Sequence, residues 1–178
     1  MELNRICNKK TNIVLIGFMG AGKSTVGRKL AGAFDMKFLD ADALIEKKYK
    51  MKISAIFAEQ GEEAFRKAET DLCRQLLKHE KGFVLATGGG MPLRKENAEL
   101  LKQIGKVVFL YTKPDEILRR VKNDTSRPLL SGPDREEKVN ALFEERLPKY
   151  LEAADYVLET EGKSFYAMIV EIQKNCMK

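Results

Sequence analysis

The feature that most constrains the fold is a glycine-rich segment that directly follows a short apolar run. Residues 17–24 read GFMGAGKS and match the pattern GxxxxGK[ST]. A candidate strand from Ile13 to Phe18 leads into this segment, and a helical pattern starts at Thr25. Because strand, glycine-rich loop and helix stand in the required order, the segment predicts a loop that binds a nucleoside triphosphate.

Each residue type in this loop has a chemical reason. The glycines let backbone N–H groups converge on phosphate oxygens at the N-terminus of a helix. Lys23 can reach the β- and γ-phosphates, and the Ser24 hydroxyl can bind Mg²⁺. The ATP-binding residues expected here are Gly20, Ala21, Gly22, Lys23, Ser24 and Thr25.

The rest of the chain alternates between short β-branched runs and longer stretches with helical spacing of apolar residues. Alternation of this kind predicts a parallel sheet flanked by helices, and 178 residues suit a single domain. Ligands of such sheets bind beyond the carboxyl ends of the strands. The further candidate strands are Lys37–Asp40, Phe83–Thr87, Val107–Tyr111 and Tyr156–Leu158.

Two segments do not resemble sheet or crossover helix. The first, about Ala41 to Arg74, is a charged helical stretch with breaks near Lys52 and Gly61. The second, residues 123–135, reads NDTSRPLLSGPDR and predicts a mobile loop, because it holds two prolines, a glycine and no periodic apolar face.

Two carboxylates mark the end of the second candidate strand, at Asp40 and Asp42. Their i, i+2 spacing on a strand would send both to one face, at the edge that carries the glycine-rich loop. One could hold Mg²⁺, and the other could bind an acceptor hydroxyl and take its proton. Asp42 could equally be a capping or first-turn acid of the next helix.

Three glycines, Gly88–Gly90, follow the third candidate strand. Their bare N–H groups would suit an anion or a hydroxyl-rich ligand, although a plain tight turn is the alternative. Thr87 stands where many nucleotide-binding sheets carry an acidic residue. A metal ion is therefore expected to depend on Ser24 and Asp40.

Three arginines have notable neighbours. Arg66 has Glu62 four residues before it and Glu69 three after, which is usual for solvated ion pairs on a helix surface. Arg127 precedes a proline, which favours an extended backbone that projects the guanidinium outward. Arg146 lies two residues before Pro148, where a kink or a helix end is expected.

A guanine-nucleotide switch is one rival interpretation. Residues 112–115 read TKPD after an apolar strand, as in a guanine-reading [NT]KxD motif. Such switches also need a DxxG motif, and no Asp in this chain has Gly three residues later. Pro114 followed by Asp115 and Glu116 is explained more simply as the start of a helix.

Composition and charge limit the classes of partner that this chain is expected to bind. The net charge of +6 suits anionic ligands, but the lysines are scattered and there is no concentrated patch for nucleic acid. The cysteines at positions 7, 73 and 176 are widely spaced, which predicts neither disulfides nor a zinc site and favours a reducing cytoplasm. The single histidine, His79, is expected at an exposed helix end. We expect a monomer with no membrane partner.

Six motifs occur together in the order and spacing of shikimate kinases, and the resemblance spans about Asn12 to Asp155. They are GFMGAGKST, LDAD, FRKAE around Arg66, ATGGG, SRPLLSGPD around Arg127 and ERLPKY around Arg146. The resemblance implies a three-layer α/β kinase fold with a five-stranded parallel sheet, a substrate-binding insert at about 41–74 and a lid at about 123–135. The core would comprise 12–40, 75–122 and 136–178.

The resemblance also implies ATP-dependent phosphorylation of the 3-hydroxyl of shikimate, on the chorismate route to aromatic amino acids, with Mg²⁺. Asp42 resembles the ligand of the acceptor hydroxyl, and Arg127 resembles the lid arginine, which is also expected to bind ATP. With Lys23 these are the expected catalytic residues. Arg120 resembles an adenine-side contact. The implied substrate-binding residues are Asp42, Arg66, Gly88, Gly89, Gly90 and Arg146. Family members often have a polar adenine loop where this chain has Thr160–Lys163.

Two competing hypotheses remain at this stage. A related small kinase could act on gluconate or on a nucleoside monophosphate. Alternatively, the chain could be a silent nucleotide-binding regulator that transfers no phosphate. Such a regulator would have little reason to retain Asp42, Arg66, Arg127 and Arg146 together.

Overall fold

The computed structural model describes residues 11–79, 81–121 and 134–177, and these residues contain a five-stranded sheet in which every strand is parallel to its neighbours. The strand order is β2-β3-β1-β4-β5. The predicted α/β fold with a five-stranded parallel sheet is confirmed. The strands are β1 (Ile13–Ile16), β2 (Lys37–Asp40), β3 (Phe83–Ala86), β4 (Lys106–Tyr111) and β5 (Tyr156–Glu159).

Helices connect the strands, as parallel pairing requires. A short 3₁₀ helix, Met91–Leu93, also follows β3. The α-helices are α1 (Lys23–Ala33), α2 (Ala41–Tyr49), α3 (Ile53–Leu76), α4 (Lys95–Ile104), α5 (Pro114–Arg120), α6 (Arg135–Ala153) and α7 (Phe165–Cys176).

The sheet forms the middle of three layers. Every residue of β1 is buried, which explains why its sequence is continuously apolar. Val14 and Ile16 belong to a core shared with α2, α3, α4 and α6. Ile13 and Leu15 point the other way, into a core shared with α1 and α7.

The strand register brings the ends of three strands to one level. Leu15 of β1 and Asp40 of β2 both pair with Ala86 of β3. The segments that follow these strands therefore leave the sheet side by side. They are the glycine-rich loop, the start of α2 and the turn of three glycines.

The inserted helical segment breaks where the sequence predicts. Between α2 and α3, the Glu46 carboxylate accepts a hydrogen bond from the Ile53 N–H at 3.1 Å, so α2 caps the start of α3. Within α3, Gly61 adopts φ 80° and ψ 170°, a combination essentially restricted to glycine. Gly61 therefore separates the first turns of α3 from the part that carries Arg66.

Several sequence-based boundaries need correction. Helix α1 begins at Lys23 rather than Thr25. Asp42 lies in the first turn of α2 and not on a strand, because the chain turns into a helix directly after Asp40. Helix α6 continues past Pro148 to Ala153, so no helix end occurs there, although proline removes one backbone donor.

Other expectations hold. Helix α5 begins at Pro114 with two acids in its first turn, and His79 is exposed just after α3. Most of the predicted loop at 123–135 lies outside the described residues, and its last residue, Arg135, starts α6. Among the described helices, none has the length and apolar character needed to cross a bilayer.

The side chain of Asn12 provides a stability test of this fold. Its amide donates to the Ile104 carbonyl at 2.8 Å, and its carbonyl oxygen accepts from the N–H groups of Gly82 and Phe83 at 2.7 and 3.2 Å. Replacing Asn12 with Ala leaves these backbone groups without that partner. We expect the free energy of unfolding in urea to fall by about 2–4 kcal/mol.

The matched control is Asn175→Ala, which removes one exposed hydrogen bond to the Glu171 carbonyl. We expect its free energy of unfolding to change by less than about 0.5 kcal/mol. Equal stability losses in the two variants would show that Asn12 does not join β1, β3 and α4 in the way described.

Candidate active site

The glycine-rich loop is shaped by backbone conformations that only glycine adopts readily. Gly17, Gly20 and Gly22 have φ values of 147°, 76° and 91°, and Gly22 is the N-cap of α1. The ammonium group of Lys23 donates to the carbonyls of Gly17 and Phe18 at 2.8 and 2.9 Å. The loop thus places N–H groups of the helix start and one cation around the same space, as binding of a polyphosphate requires.

Ser24 and Asp40 form the expected pair of oxygen ligands. The Ser24 hydroxyl donates to Asp40 Oδ2 at 2.8 Å, while Asp40 Oδ1 caps α2 by accepting from the Ala43 N–H at 3.3 Å. The Thr87 hydroxyl donates to the Leu15 carbonyl at 3.1 Å. A hydroxyl and a carboxylate fit Mg²⁺, which completes its shell with phosphate oxygens and water in such sites.

That donor set agrees with a metal held jointly with a nucleotide. Across residues 11–79, 81–121 and 134–177, no group of three or more His, Cys, Asp and Glu side chains could hold a metal ion by itself. Mg²⁺ in phosphate-transfer sites typically has only one or two protein ligands.

A cleft of about 370 Å³ joins the phosphate loop to the residues after β2 and β3. Asp42 lies in this cleft together with Asp40, so the first turn of α2 presents both carboxylates to the same space although only Asp40 belongs to the strand. The lining also includes Lys23, Ser24, Gly88, Gly89 and Arg120.

At two of the three glycines after β3, Gly88 and Gly90, side chains approach closely where a Cβ would lie, whereas a Cβ on Gly89 would make only ordinary contacts. None of them has positive φ. A Cβ on Gly88 would lie 2.7 Å from the Asp42 carboxylate, and one on Gly90 would lie 2.8 Å from Arg66 Cζ. A Cβ on Gly89 would contact the phosphate loop at the Gly17 carbonyl, 3.6 Å away. The turn is therefore the point where α2, α3 and the phosphate loop converge.

Arg66 is held at this turn by two glutamates in different surroundings. Its guanidinium contacts Glu62 and Glu69 at 2.9 Å each. The side chain of Glu62 is 66% exposed, as a surface ion pair predicts, but that of Glu69 is 1% exposed. The interpretation as a solvated surface pair is wrong for Glu69, because its side chain is buried next to the turn after β3.

Burial governs the ionisation of this pair. Burial raises the pKa of Glu69, the guanidinium of Arg66 opposes that rise, and the charge of Asp42 adds to it. Burial alone would lower the pKa of Arg66, but its bonds to Glu69 and Glu62 raise it. One oxygen of Glu69, Oε1, is buried without a hydrogen-bond partner. Arg66 therefore remains a cation beside the glycine turn.

Arg146 reaches the site from α6. Its guanidinium carbon lies 5.8 Å from the centre of the Phe18 ring in the phosphate loop. Phe143, one turn earlier, packs edge-on against the same ring with a centroid distance of 5.7 Å. The Nε of Arg146 is buried and has no hydrogen-bond partner. This Nε–H is a donor available to an anionic ligand, while the same guanidinium is hydrogen-bonded to the side chain of Tyr150.

Arg120 lies beside the start of α1. It donates to the Ala21 carbonyl at 3.3 Å and to Glu116 at 2.7 Å, one turn earlier in α5. Hydrogen bonds from Arg119 and Arg120 lower the pKa of Glu116 to about 2. Arg120 is thus fixed at the phosphate loop, whereas Arg127 lies outside the described residues.

Sequence reasoning missed two residues of this site. Tyr150 donates from its hydroxyl to the Gly89 carbonyl at 2.8 Å, and Glu69 was taken only as an ion-pair partner. Tyr150 follows Arg146 by four residues, so it lies on the same helix face, and that spacing was the available signal. Lys163 is paired with Glu171 at 2.6 Å.

The structure of the phosphate loop predicts how the replacement of Lys23 affects kcat. Replacing it with Ala removes the cation from the phosphate site and no residue from the core, so we expect a folded protein whose kcat falls at least about a hundredfold. Lys29→Ala, on the exposed side of α1 against Phe165, is the matched control and should retain wild-type kcat. Steady-state kinetics with thermal unfolding checks both, and near wild-type turnover in Lys23→Ala would contradict the phosphate-loop assignment.

Comparisons with known proteins agree on one family. The family model for shikimate kinase matches residues 19–176. A shikimate kinase from Francisella tularensis subsp. novicida is 43% identical over 161 residues, which cover 90% of this chain and 92% of that protein.

Solved structures give the same result. A shikimate kinase from Acinetobacter baumannii in complex with shikimate has a TM-score of 0.85 and 43% identity, covering 92% of this chain and 91% of that one. The shikimate kinase from Aquifex aeolicus has a TM-score of 0.80 and 36% identity, covering 93% and 95%. On this evidence, the chain belongs to the shikimate kinase family.

Proposed function

We propose that this chain transfers the γ-phosphoryl group of ATP to the 3-hydroxyl of shikimate, giving shikimate 3-phosphate and ADP on the route to chorismate. The observation that carries this proposal is the turn Gly88–Gly90. It lines the same cleft as the phosphate loop and Asp42, and a Cβ on Gly90 would meet Arg66, so donor and acceptor would meet beside it. Family membership identifies the chemistry expected in such an arrangement.

The nucleotide half of the site consists of the phosphate loop and its neighbours. Gly20, Ala21, Gly22, Ser24 and Thr25 would surround the phosphates, and Lys23 would exchange its contacts with loop carbonyls for the β- and γ-phosphates. Arg120 would flank the nucleoside, since it already lies against the loop at Ala21. Ser24 and Asp40 would hold Mg²⁺, which neutralises phosphate charge when it is bound.

The acceptor half supplies two cations and one carboxylate. Shikimate carries a carboxylate, and a planar guanidinium matches that group with two parallel hydrogen bonds. Arg146 has a buried donor without a partner, and Arg66 lies at Gly90, so both are suited to this role. The N–H groups of Gly88–Gly90 and the Asp42 carboxylate would contact the ring hydroxyls.

The transfer step follows from this placement. The 3-hydroxyl oxygen forms a bond to the γ-phosphorus while the bond from that phosphorus to the β–γ bridging oxygen breaks. The hydroxyl proton passes to the Asp42 carboxylate, and ADP leaves with the bridging oxygen. Lys23 stabilises the charge on the migrating group, so alignment and electrostatics do most of the catalytic work.

The proposal also covers the functional regions of the chain, its oligomeric state and its cellular compartment. Residues 41–74 would be the substrate-binding insert, and about 123–135 the lid that carries Arg127. We also propose a monomer in the cytoplasm. The described cysteines, Cys73 and Cys176, are buried free thiols, which is compatible with a reducing compartment.

A direct test measures ADP release with different acceptors. Wild-type protein with Mg²⁺ and ATP should release ADP rapidly only when shikimate is present. Gluconate and nucleoside monophosphates serve as the competing acceptors. Faster release with either of these would favour a related kinase, and no stimulation by any acceptor would favour a silent nucleotide-binding protein.

The acceptor arginines should separate the two substrates. Arg66→Ala and Arg146→Ala each remove a charge-assisted hydrogen bond to the carboxylate, worth roughly 1.5–3 kcal/mol. We expect the KM for shikimate to rise about ten- to a hundredfold and the KM for ATP to change far less.

The matched control for this pair is Arg74→Ala on the same helix as Arg66, because Arg74 is exposed and pairs with Asp71 and Glu96. Its two KM values should equal those of the wild type. Equal rises in both KM values for Arg66→Ala or Arg146→Ala would place that arginine outside the acceptor site.

The proposed role of Arg127 predicts an effect on rate rather than on binding. An arginine that closes over the transferring group interacts more strongly with the transition state than with bound substrate, so Arg127→Ala should lower kcat by more than tenfold. The Kd for shikimate should barely change. Arg127→Lys retains the charge but loses the planar fork, so it should recover only part of the rate.

Single-turnover kinetics and calorimetry measure these two quantities, and circular dichroism checks the fold. A kcat for Arg127→Ala within about twofold of the wild type would exclude the catalytic role proposed for this residue.

A further inference from the structure

Tyr150 makes an internal hydrogen bond directly at the acceptor site. Its side chain is completely buried in α6. Its ring stacks on Phe109 of β4 with a centroid distance of 5.1 Å and an interplanar angle of 27°. Its hydroxyl donates to the carbonyl of Gly89 at 2.8 Å. The ring is therefore fixed by the core, and the hydroxyl fixes the turn after β3.

Arg66 and Arg146, the two candidate ligands of the shikimate carboxylate, both lie near the Tyr150 side chain. Arg146 is four residues earlier on α6, so the two side chains leave the helix on one face. Burial raises the pKa of Tyr150 to about 12, and the charge of Arg146, its side-chain hydrogen bond to Tyr150 and the charge of Arg66 oppose this rise. Because that pKa is far above neutrality, the hydroxyl remains a proton donor to Gly89 over the working pH range.

Packing alone does not require a hydroxyl at this position. A phenylalanine would stack on Phe109 equally well and would fill the same space. What the hydroxyl adds is a hydrogen-bond partner for Arg146 and for the carbonyl of Gly89, the residue between Gly88 and Gly90. Those two glycines approach Asp42 and Arg66 so closely that a small shift of the turn would displace the contacts of both.

We propose that Tyr150 is a positioning residue for the acceptor site. Its hydroxyl holds the turn Gly88–Gly90 in a fixed position relative to Arg146, where the shikimate carboxylate would bind. The inference rests on the proposed function and assigns a role to a residue that does not itself carry out the reaction. Tyr150 acts through Gly89 and Arg146, so it affects the binding of the acceptor and not the binding of the nucleotide.

Tyr150→Phe tests this role, because it removes the hydroxyl and retains the ring. Loss of the hydrogen bonding that orients the site should raise the KM and the calorimetric Kd for shikimate about three- to tenfold. The KM for ATP and kcat at saturating shikimate should remain within about twofold of the wild type. The thermal unfolding midpoint establishes that the variant is folded.

Tyr156→Phe is the matched control. It also removes a phenolic hydroxyl with one hydrogen bond, to Glu171 at 2.8 Å, but on β5 and away from the cleft. We expect wild-type KM values for both substrates in this variant. A purely structural role for Tyr150 would lower the unfolding midpoint of Tyr150→Phe without separating the shikimate KM from the ATP KM.

The outcomes distinguish this inference from the function on which it rests. If the wild type does not phosphorylate shikimate, the proposed function fails. If the wild type is active and Tyr150→Phe changes neither KM, or raises both equally, the positioning role is overturned while the function stands. A shikimate-specific rise that Tyr156→Phe does not share supports the role of Tyr150.

Discussion

Parallel pairing of β1, β2 and β3 is the constraint on which the rest of the structure depends. Leu15 and Asp40 pair with the same residue, Ala86, so three strands end at one level. Parallel strands need helical crossovers, and these leave the carboxyl ends of the strands free to carry loops of different chemistry. The phosphate loop, the carboxylates Asp40 and Asp42, and the glycine turn meet because the sheet delivers them to one edge.

In the acceptor half of the proposed site, the charged side chains position arginine guanidinium groups rather than stabilise the fold. Burying Glu69 beside Arg66 raises the pKa of this carboxyl, so its ionised form is disfavoured in the fold. The stability contribution of Glu69 is consequently fully present below its ordinary pKa of 4.5 and is lost as pH rises through the higher folded value. A buried ion pair of this kind is weak evidence for stability, but it fixes the Arg66 guanidinium at Gly90.

Much of the fold could be predicted from the sequence because short buried strands and the glycine-rich loop leave strong local signals. All five strands were predicted to within two residues at each end, and the breaks near Lys52 and Gly61 were found. Asp42 was left between the strand edge and the first turn of the next helix, where the structure places it, because a period of two cannot locate a junction without a linker. Of the kink or helix end expected near Pro148, the helix end was wrong, because α6 continues through the proline to Ala153.

The site was harder to predict where tertiary packing decides the role of a residue. Sequence spacing shows that Glu69 faces Arg66, but the burial of Glu69 beside the turn after β3 depends on tertiary packing, which the spacing does not show. Tyr150 is an ordinary helical core residue by its spacing. Its hydrogen bond to Gly89 joins residues 61 positions apart, a separation that no local pattern encodes.

The most direct measurement of the central claim is the structure of the product formed from ATP and shikimate. Phosphorus–proton correlation in nuclear magnetic resonance identifies the carbon whose hydroxyl has been phosphorylated. If the glycine turn holds the acceptor between Asp42 and the phosphate loop as proposed, a single product forms, with phosphate on the 3-hydroxyl. Phosphate on another hydroxyl, a mixture of positions, or ADP formed with no phosphorylated shikimate would contradict this account.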